Sequence, residues 1–234
     1  PKKKRRKCME KSHIRNAELE KKAMYVLNKA LSMGNTPLVA FSGGKDSIVV
    51  THMAARLGVQ NYVCDISMTF KKQRENIKQI AELLGINVAY KEGVTMDWLK
   101  KNKHVLFSTD NAVRSWSFSQ RQQRTVKRQA KAIGADMQIF GRRTEENSVK
   151  SAIYTTKAGL QCHPIRDWKE ADVWTYLERH NIPKPYMYTT ALGKKEGNTP
   201  WHSVHPKRWG NDIENCWDAV EAMGDIYKRG ILDD

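Results

Sequence analysis

Apolar residues recur at Leu19, Ala23, Val26, Leu27, Ala30 and Leu31, the spacing of one helix face, and predict a helix over 16–33. Gly34 closes it. A short apolar run, Leu38-Val39-Ala40-Phe41, then predicts a buried strand. After a Ser-Gly-Gly turn the pattern returns to helical spacing over 48–57 and stops at Gly58. The alternation repeats. Residues 61–67 read as a second strand, 72–84 as a helix with Ile77, Ile80, Ala81 and Leu84 on one face, and 86–90 as a third strand. Further on, 119–133 predicts a strongly basic helix, 137–140 a fourth strand, 169–180 a helix and 212–228 a closing helix. Between these, 93–118 reads as a short helix near Trp98 followed by a loop, and 193–210 as a loop. Strands alternating with helices imply an α/β fold: an open, mostly parallel sheet with right-handed crossovers and helices on both faces.

Length and composition bound this picture. A chain of 234 residues with 40% hydrophobic content suits one domain with a core. No apolar stretch approaches the ~18 residues of a membrane-spanning helix, and no apolar segment follows the basic start to make a signal peptide. The expected organisation is a disordered basic tail at 1–12, a nucleotide-binding domain at 13–190, and a C-terminal loop and helix packed on it at 191–234. The net charge is +16, six of it in Lys2, Lys3, Lys4, Arg5, Arg6 and Lys7, so the remainder still carries +10. Such a chain favours phosphorylated ligands or nucleic acid, the latter through the tail and the 119–133 helix. The cysteines are Cys8, Cys64, Cys162 and Cys216. None forms a C-x-x-C pair, so no iron–sulfur cluster is expected, and scattered single thiols suit the cytoplasm.

The chemistry concentrates at Ser42-Gly43-Gly44-Lys45-Asp46-Ser47, between the first strand and its helix. Paired glycines let amides point inward, the helix N-terminus supplies unpaired donors, Lys45 adds a charge, and Ser42 and Ser47 add hydroxyls. The common nucleotide loop would need a glycine at position 39, where Val39 stands. After the fourth strand comes Gly141-Arg142-Arg143-Thr144-Glu145-Glu146. Because ligands of open parallel sheets sit beyond the carboxyl ends of strands, this places Arg142 and Arg143 on the same rim as the loop. Their guanidinium forks suit phosphate or sulfate. A third stretch, His163-Pro164-Ile165-Arg166-Asp167-Trp168, followed by Asp172-Val173-Trp174, adds Arg166 and His163 as rim candidates.

Together these three stretches resemble the phosphoadenosine-phosphosulfate (PAPS) reductase family, a branch of the PP-loop ATP pyrophosphatase and adenine-nucleotide α-hydrolase superfamily. The resemblance implies a five- or six-stranded sheet of that superfamily's kind. It further implies an enzyme that binds ATP or a PAPS-like adenine nucleotide, with magnesium, and cleaves between the α and β phosphates to adenylate or sulfur-modify an acceptor. Ser42, Gly43, Gly44, Lys45, Asp46, Ser47, Asp65, Gly141 and Arg166 would bind the nucleotide. Lys45, Arg142 and Arg143 would carry the chemistry, with Asp46 and Glu145 as metal partners. The reductases' C-terminal Glu-Cys-Gly-Leu-His-type segment is missing, and after the second strand only Asp65 of the family's pattern remains. The alternatives are a sulfonucleotide reductase or sulfotransferase with an atypical thiol, and a nucleotide-gated nucleic-acid-binding protein without turnover. A flavin-adenylylating enzyme shares the fold as well.

Overall fold

The computed structural model describes residues 2–66, 71–91, 124–146, 149 and 151–188, with the side chains of 2–13, 71–73 and 187 left aside. The expected elements within 93–123 and 189–234 lie outside the described residues. Helix α1 (Lys2–Leu31) is followed by β1 (Pro37–Ala40), α2 (Lys45–Arg56), β2 (Tyr62–Asp65), α3 (Lys71–Leu83), β3 (Val88–Lys91), α4 (Arg124–Ile133), β4 (Met137–Ile139), β5 (Ile153–Thr156), β6 (Gly159–Cys162), α5 (Glu170–Arg179) and a 3-10 turn at Tyr186–Tyr188. The first helix reaches back to Lys2, over the stretch read from sequence as a disordered tail. Residues 2–31 contain neither Gly nor Pro and are rich in Lys, Arg, Glu, Leu and Met, which favour helix.

The six strands lie in the order β3-β2-β1-β4-β6-β5. All neighbours are parallel except the β5–β6 hairpin, which turns at Gly159 with φ 104°. Along β1 the side chains alternate between two cores. Val39 and Phe41 join the large cluster with Leu27, Ile48, Met53, Ile77, Val173 and Tyr176, beneath α1, α2, α3 and α5. Leu38 faces the smaller cluster with Val63, Val126 and Ala130 beneath α4. Helices therefore cover both faces, as the strand pattern predicts. Glu20 ties three helices together by pairing with Arg56, Arg179 and His180. Among the described residues no helix is long and apolar enough to cross a membrane.

The strand order matters for function. From β1 the chain steps outward to β2 and β3, then returns to place β4 on the other side of β1. The sheet thus reverses between β1 and β4, whose residues pair Val39 with Ile139. Loops leaving such a pair diverge to opposite faces and open a crevice beyond the strand ends. The Ser42–Ser47 loop leaves one of these strands and Gly141–Glu146 leaves the other.

Candidate functional site

Two glycines shape the loop after β1. Gly43 has φ 71°, which L side chains rarely adopt, and a Cβ there would collide with Ile77 of α3. Gly44 is the N-cap of α2, extended at φ −80° and ψ 155°, and has no side chain with which to cap the helix. The first-turn amides of Asp46 and Ser47 therefore have no intrahelical acceptor. Ser47 is buried and holds the loop's shape. Its hydroxyl donates to the Gly44 carbonyl at 2.9 Å and accepts from the Ser42 amide at 3.1 Å and the Ser42 hydroxyl at 3.0 Å. Gly141 presses on the same turn. A Cβ there would lie 2.5 Å from the Asp46 carbonyl oxygen and 2.7 Å from the Ser47 nitrogen.

Two buried cations sit behind the loop, each only 1% exposed. Lys45 Nζ lies 2.9 Å from Asp46 Oδ2, 3.3 Å from Glu146 Oε1 and 3.7 Å from Glu170 Oε1. Burial works against its charge, but the Tyr188 hydroxyl and the Asp46 and Glu146 carboxylates outweigh that and hold its pKa above the ordinary lysine value. Arg143 donates from Nε to Asp46 Oδ1 at 2.5 Å, from Nη2 to Glu146 Oε1 at 2.6 Å, and from Nη1 to Glu145 and, at 3.4 Å, to the Trp168 carbonyl. Its fork is thus directed at carboxylates and joins the β4 rim to the first turn of α2 and the start of α5. Glu145 also accepts from the Glu170 amide at 2.9 Å. The hydrogen bond from Arg143, then that amide, keep its carboxyl below the usual range.

Tyr188 closes the loop from the far side. Its hydroxyl accepts from the Lys45 amide at 3.3 Å, its ring lies 5.5 Å from Lys45 Nζ, and its edge meets Trp174 at 5.1 Å between ring centroids. The 3-10 turn that carries it is fixed to α3 by a hydrogen bond from the Tyr186 amide to Asn76 at 2.8 Å.

The structure separates residues that the sequence grouped together. Ser42, Gly43, Gly44, Lys45, Asp46, Ser47, Gly141, Arg143 and Glu145 converge. Arg142 points to the opposite face, because alternation along the strand exit sends it away from Arg143. It lies 4.9 Å above the Phe140 ring, which stacks on His163, which stacks in turn on Tyr154. His163 is fully buried, not on the rim, and burial and then Arg142 push its pKa down to about 4. Arg166 Nε donates to the Val149 carbonyl at 2.7 Å and Nη1 to Asp167 at 2.9 Å, so it anchors its own segment. Asp65, at the end of β2, accepts from Thr125 at 2.8 Å and fastens the start of α4. Both Asp46 oxygens are engaged by Lys45 and Arg143, and among the described residues no three His, Cys, Asp or Glu side chains converge as a metal site. Cys162 is buried, which raises its thiol to about 12, and Cys216 lies outside the described residues. Sequence reasoning missed Glu146, Glu170 and Tyr188. Glu146 adjoins Glu145 and was within reach, but Tyr188 stands 143 positions from its partner and gave no local signal.

Comparison with known proteins shows the family and the fold. The family model described as the phosphoadenosine phosphosulfate reductase domain matches residues 36–208, and the chain belongs to that family. It is similar to sulfate adenylyltransferase subunit 2 of Mycobacterium sp. (strain KMS), 22% identical over 95% of this chain and 81% of the relative. An uncharacterised protein of Methanocaldococcus jannaschii is 25% identical over 77% of this chain and 46% of its own, so the chain spans about half the length of that relative. Among solved structures it superposes on a phosphoadenylyl-sulfate (PAPS) reductase from Candida auris in a phosphate complex, with TM-score 0.58 and 16% identity over 80% of this chain and 94% of that one. It superposes equally on NMN synthetase from Francisella tularensis, with TM-score 0.58 and 16% identity over 88% and 86%. These two share its α/β fold.

Proposed function

We propose that this member of the PAPS reductase domain family binds ATP or a closely related adenine nucleotide and transfers its adenylyl group to an acceptor. The observation that carries the reading is the first turn of α2, whose N-cap glycine has no side chain, shaped by Gly43, Gly44 and Gly141 at the point where the sheet reverses, with Lys45 buried behind it. An acceptor nucleophile would attack the α-phosphorus, the bond from that phosphorus to the bridging oxygen would break, and pyrophosphate would leave with the electron pair. The loop's amides and Lys45 stabilise charge gathering on the departing phosphates. Arg143, enclosed by carboxylates, acts as a positioning residue that fixes Asp46 and Glu146 around Lys45.

Magnesium fits this site as a companion of the nucleotide. It binds through one or two carboxylates together with substrate phosphates, and Glu146 and Glu170 are the carboxylates beside Lys45 with open solvent access. When bound, it would neutralise phosphate charge. A thiol-dependent reaction through Cys162 is disfavoured because that residue is buried and held as a thiol.

A nucleic-acid acceptor is favoured by one further feature. Arg124, Lys127, Arg128 and Lys131 form an exposed stripe along α4, which contains no acidic residue. The stripe begins where Thr125 meets Asp65, on the same rim as the loop. Weakening of oligonucleotide binding with salt, and a shallower salt slope after these four are changed to Ser, would bear this out. The main test is titration with ATP, PAPS, adenylyl sulfate and FAD in the presence of magnesium, together with pyrophosphate release from ATP, using wild type and Lys45→Ala. Release dependent on Lys45 supports the reading. Binding of none of the four overturns it.

A further inference from the structure

We propose that Tyr188 is a phosphate-binding residue of this site, its hydroxyl proton donated to the nucleotide's phosphates at the Ser42–Ser47 loop. This rests on reading that loop as a phosphate site. A tyrosine hydroxyl has one proton to give and lone pairs to accept with. Here a lone pair is committed to the Lys45 amide at 3.3 Å, while among the described residues the proton has no acceptor. Burial leads the influences that raise the hydroxyl's pKa, so it remains a donor at neutral pH.

Its placement adds to this. A Cβ on Gly44 would lie 3.6 Å from the Tyr188 oxygen and 3.4 Å from Ser42 Oγ, so both hydroxyls border the exposed side of Gly44. A phosphate seated on the first turn of α2 would then meet backbone amides on one side and this hydroxyl on the other. The ring is braced for the task. Trp174 packs edge-on against it, Lys184 Nζ lies 5.2 Å over Trp174, and Tyr186 is tied to Asn76. The residue also couples α5, through Trp174, to the loop, so a ligand on the loop would be contacted by chain segments far apart in sequence.

Tyr188→Phe keeps the ring, its contact with Trp174 and its place under Lys45, and deletes only the hydroxyl. Calorimetric titration of wild type and this variant with ATP and with inorganic pyrophosphate tests the assignment. A hydrogen bond to a charged phosphate predicts a loss on the order of tenfold in affinity for both ligands, with the melting temperature of the unliganded protein held close to wild type. Unchanged or tighter binding by the variant overturns the assignment and shows that the hydroxyl merely occupies the loop. A lowered melting temperature accompanied by weak binding also overturns it, in favour of a structural role. Wild type that binds neither ATP nor pyrophosphate overturns the underlying reading of the loop instead, so the two failures are distinguishable.

Discussion

Replacing Gly141 with alanine adds one methyl group at the junction of the two loops. The ideal Cβ lies 2.5 Å from the Asp46 carbonyl oxygen, 2.6 Å from its carbon and 2.7 Å from the Ser47 nitrogen. All three are backbone atoms of the first turn of α2, so no side-chain rotation relieves the overlap. Either the β4 exit or the helix must move. Overpacking costs about 1–3 kcal/mol where side chains can adjust, and a purely backbone clash belongs at the upper end, about 3 kcal/mol. For a chain of this size that lowers the melting temperature by about 6–12 °C. Gly58→Ala is the control. It has φ 78° but nothing within 4 Å of its Cβ, so it pays only the backbone term of about 1–2 kcal/mol and leaves the site alone. Denaturant unfolding and ATP titration on both variants separate the effects. Gly141→Ala is expected to be the less stable of the two and to lose nucleotide binding, while Gly58→Ala binds like wild type. Equal stability of the two variants, with full ATP affinity in Gly141→Ala, would refute the claim that this contact sets the loop.

Arg143→Met should cost about 3 kcal/mol in urea unfolding, since it leaves carboxylates facing one another around Lys45; half-open Glu145 and Glu146 keep the loss at the low end. Cys162→Ser should retain turnover and native Cys162 should resist iodoacetamide, because burial holds its thiol near a pKa of about 12; loss of activity would revive the thiol-based reading. His163, with a folded pKa of about 4 against an ordinary 6.5, is neutral in the fold and takes up a proton on unfolding between those values. Its contribution of about 3 kcal/mol is present above pH 6.5 and lost as pH falls toward 4, and His163→Phe should flatten the stability–pH curve by one proton over that window.

The sequence carried the parts of this molecule whose causes are local. Four strands and their helices follow from short apolar runs punctuated by glycine, and the loop at 42–47 announces itself by composition. The β5–β6 hairpin gave no such signal. Its strands, Ile-Tyr-Thr-Thr and Gly-Leu-Gln-Cys, are half polar and only four residues long. Arg142 and Arg143 look equivalent in sequence, but strand alternation sends them to opposite faces, and only the sheet register fixes which one meets Asp46. Glu170 and Tyr188 reach the site through the packing of α5 and the turn after it, a long-range arrangement with no local pattern.

The electrostatics of the site refine what the loop motif alone suggests. A phosphate cradle is expected to present free cations, yet Lys45 and Arg143 are already surrounded by Asp46, Glu145, Glu146 and Glu170. Two positive charges face four negative ones, so side-chain charge alone does not draw in a polyphosphate. On the proposed reading, attraction would come from the first-turn amides of α2, which keep their polarity whatever the carboxylates do, and from a divalent cation accompanying the nucleotide. The buried cations also serve a structural end. With Asp46 bridging them, they fix the first turn of α2 against the β4 rim and so keep its amides aimed at one point. On this view charge reversal at exposed Glu146 should matter less to the fold than loss of Arg143, because the arginine hydrogen-bonds the loop, the rim and the segment leading into α5 together.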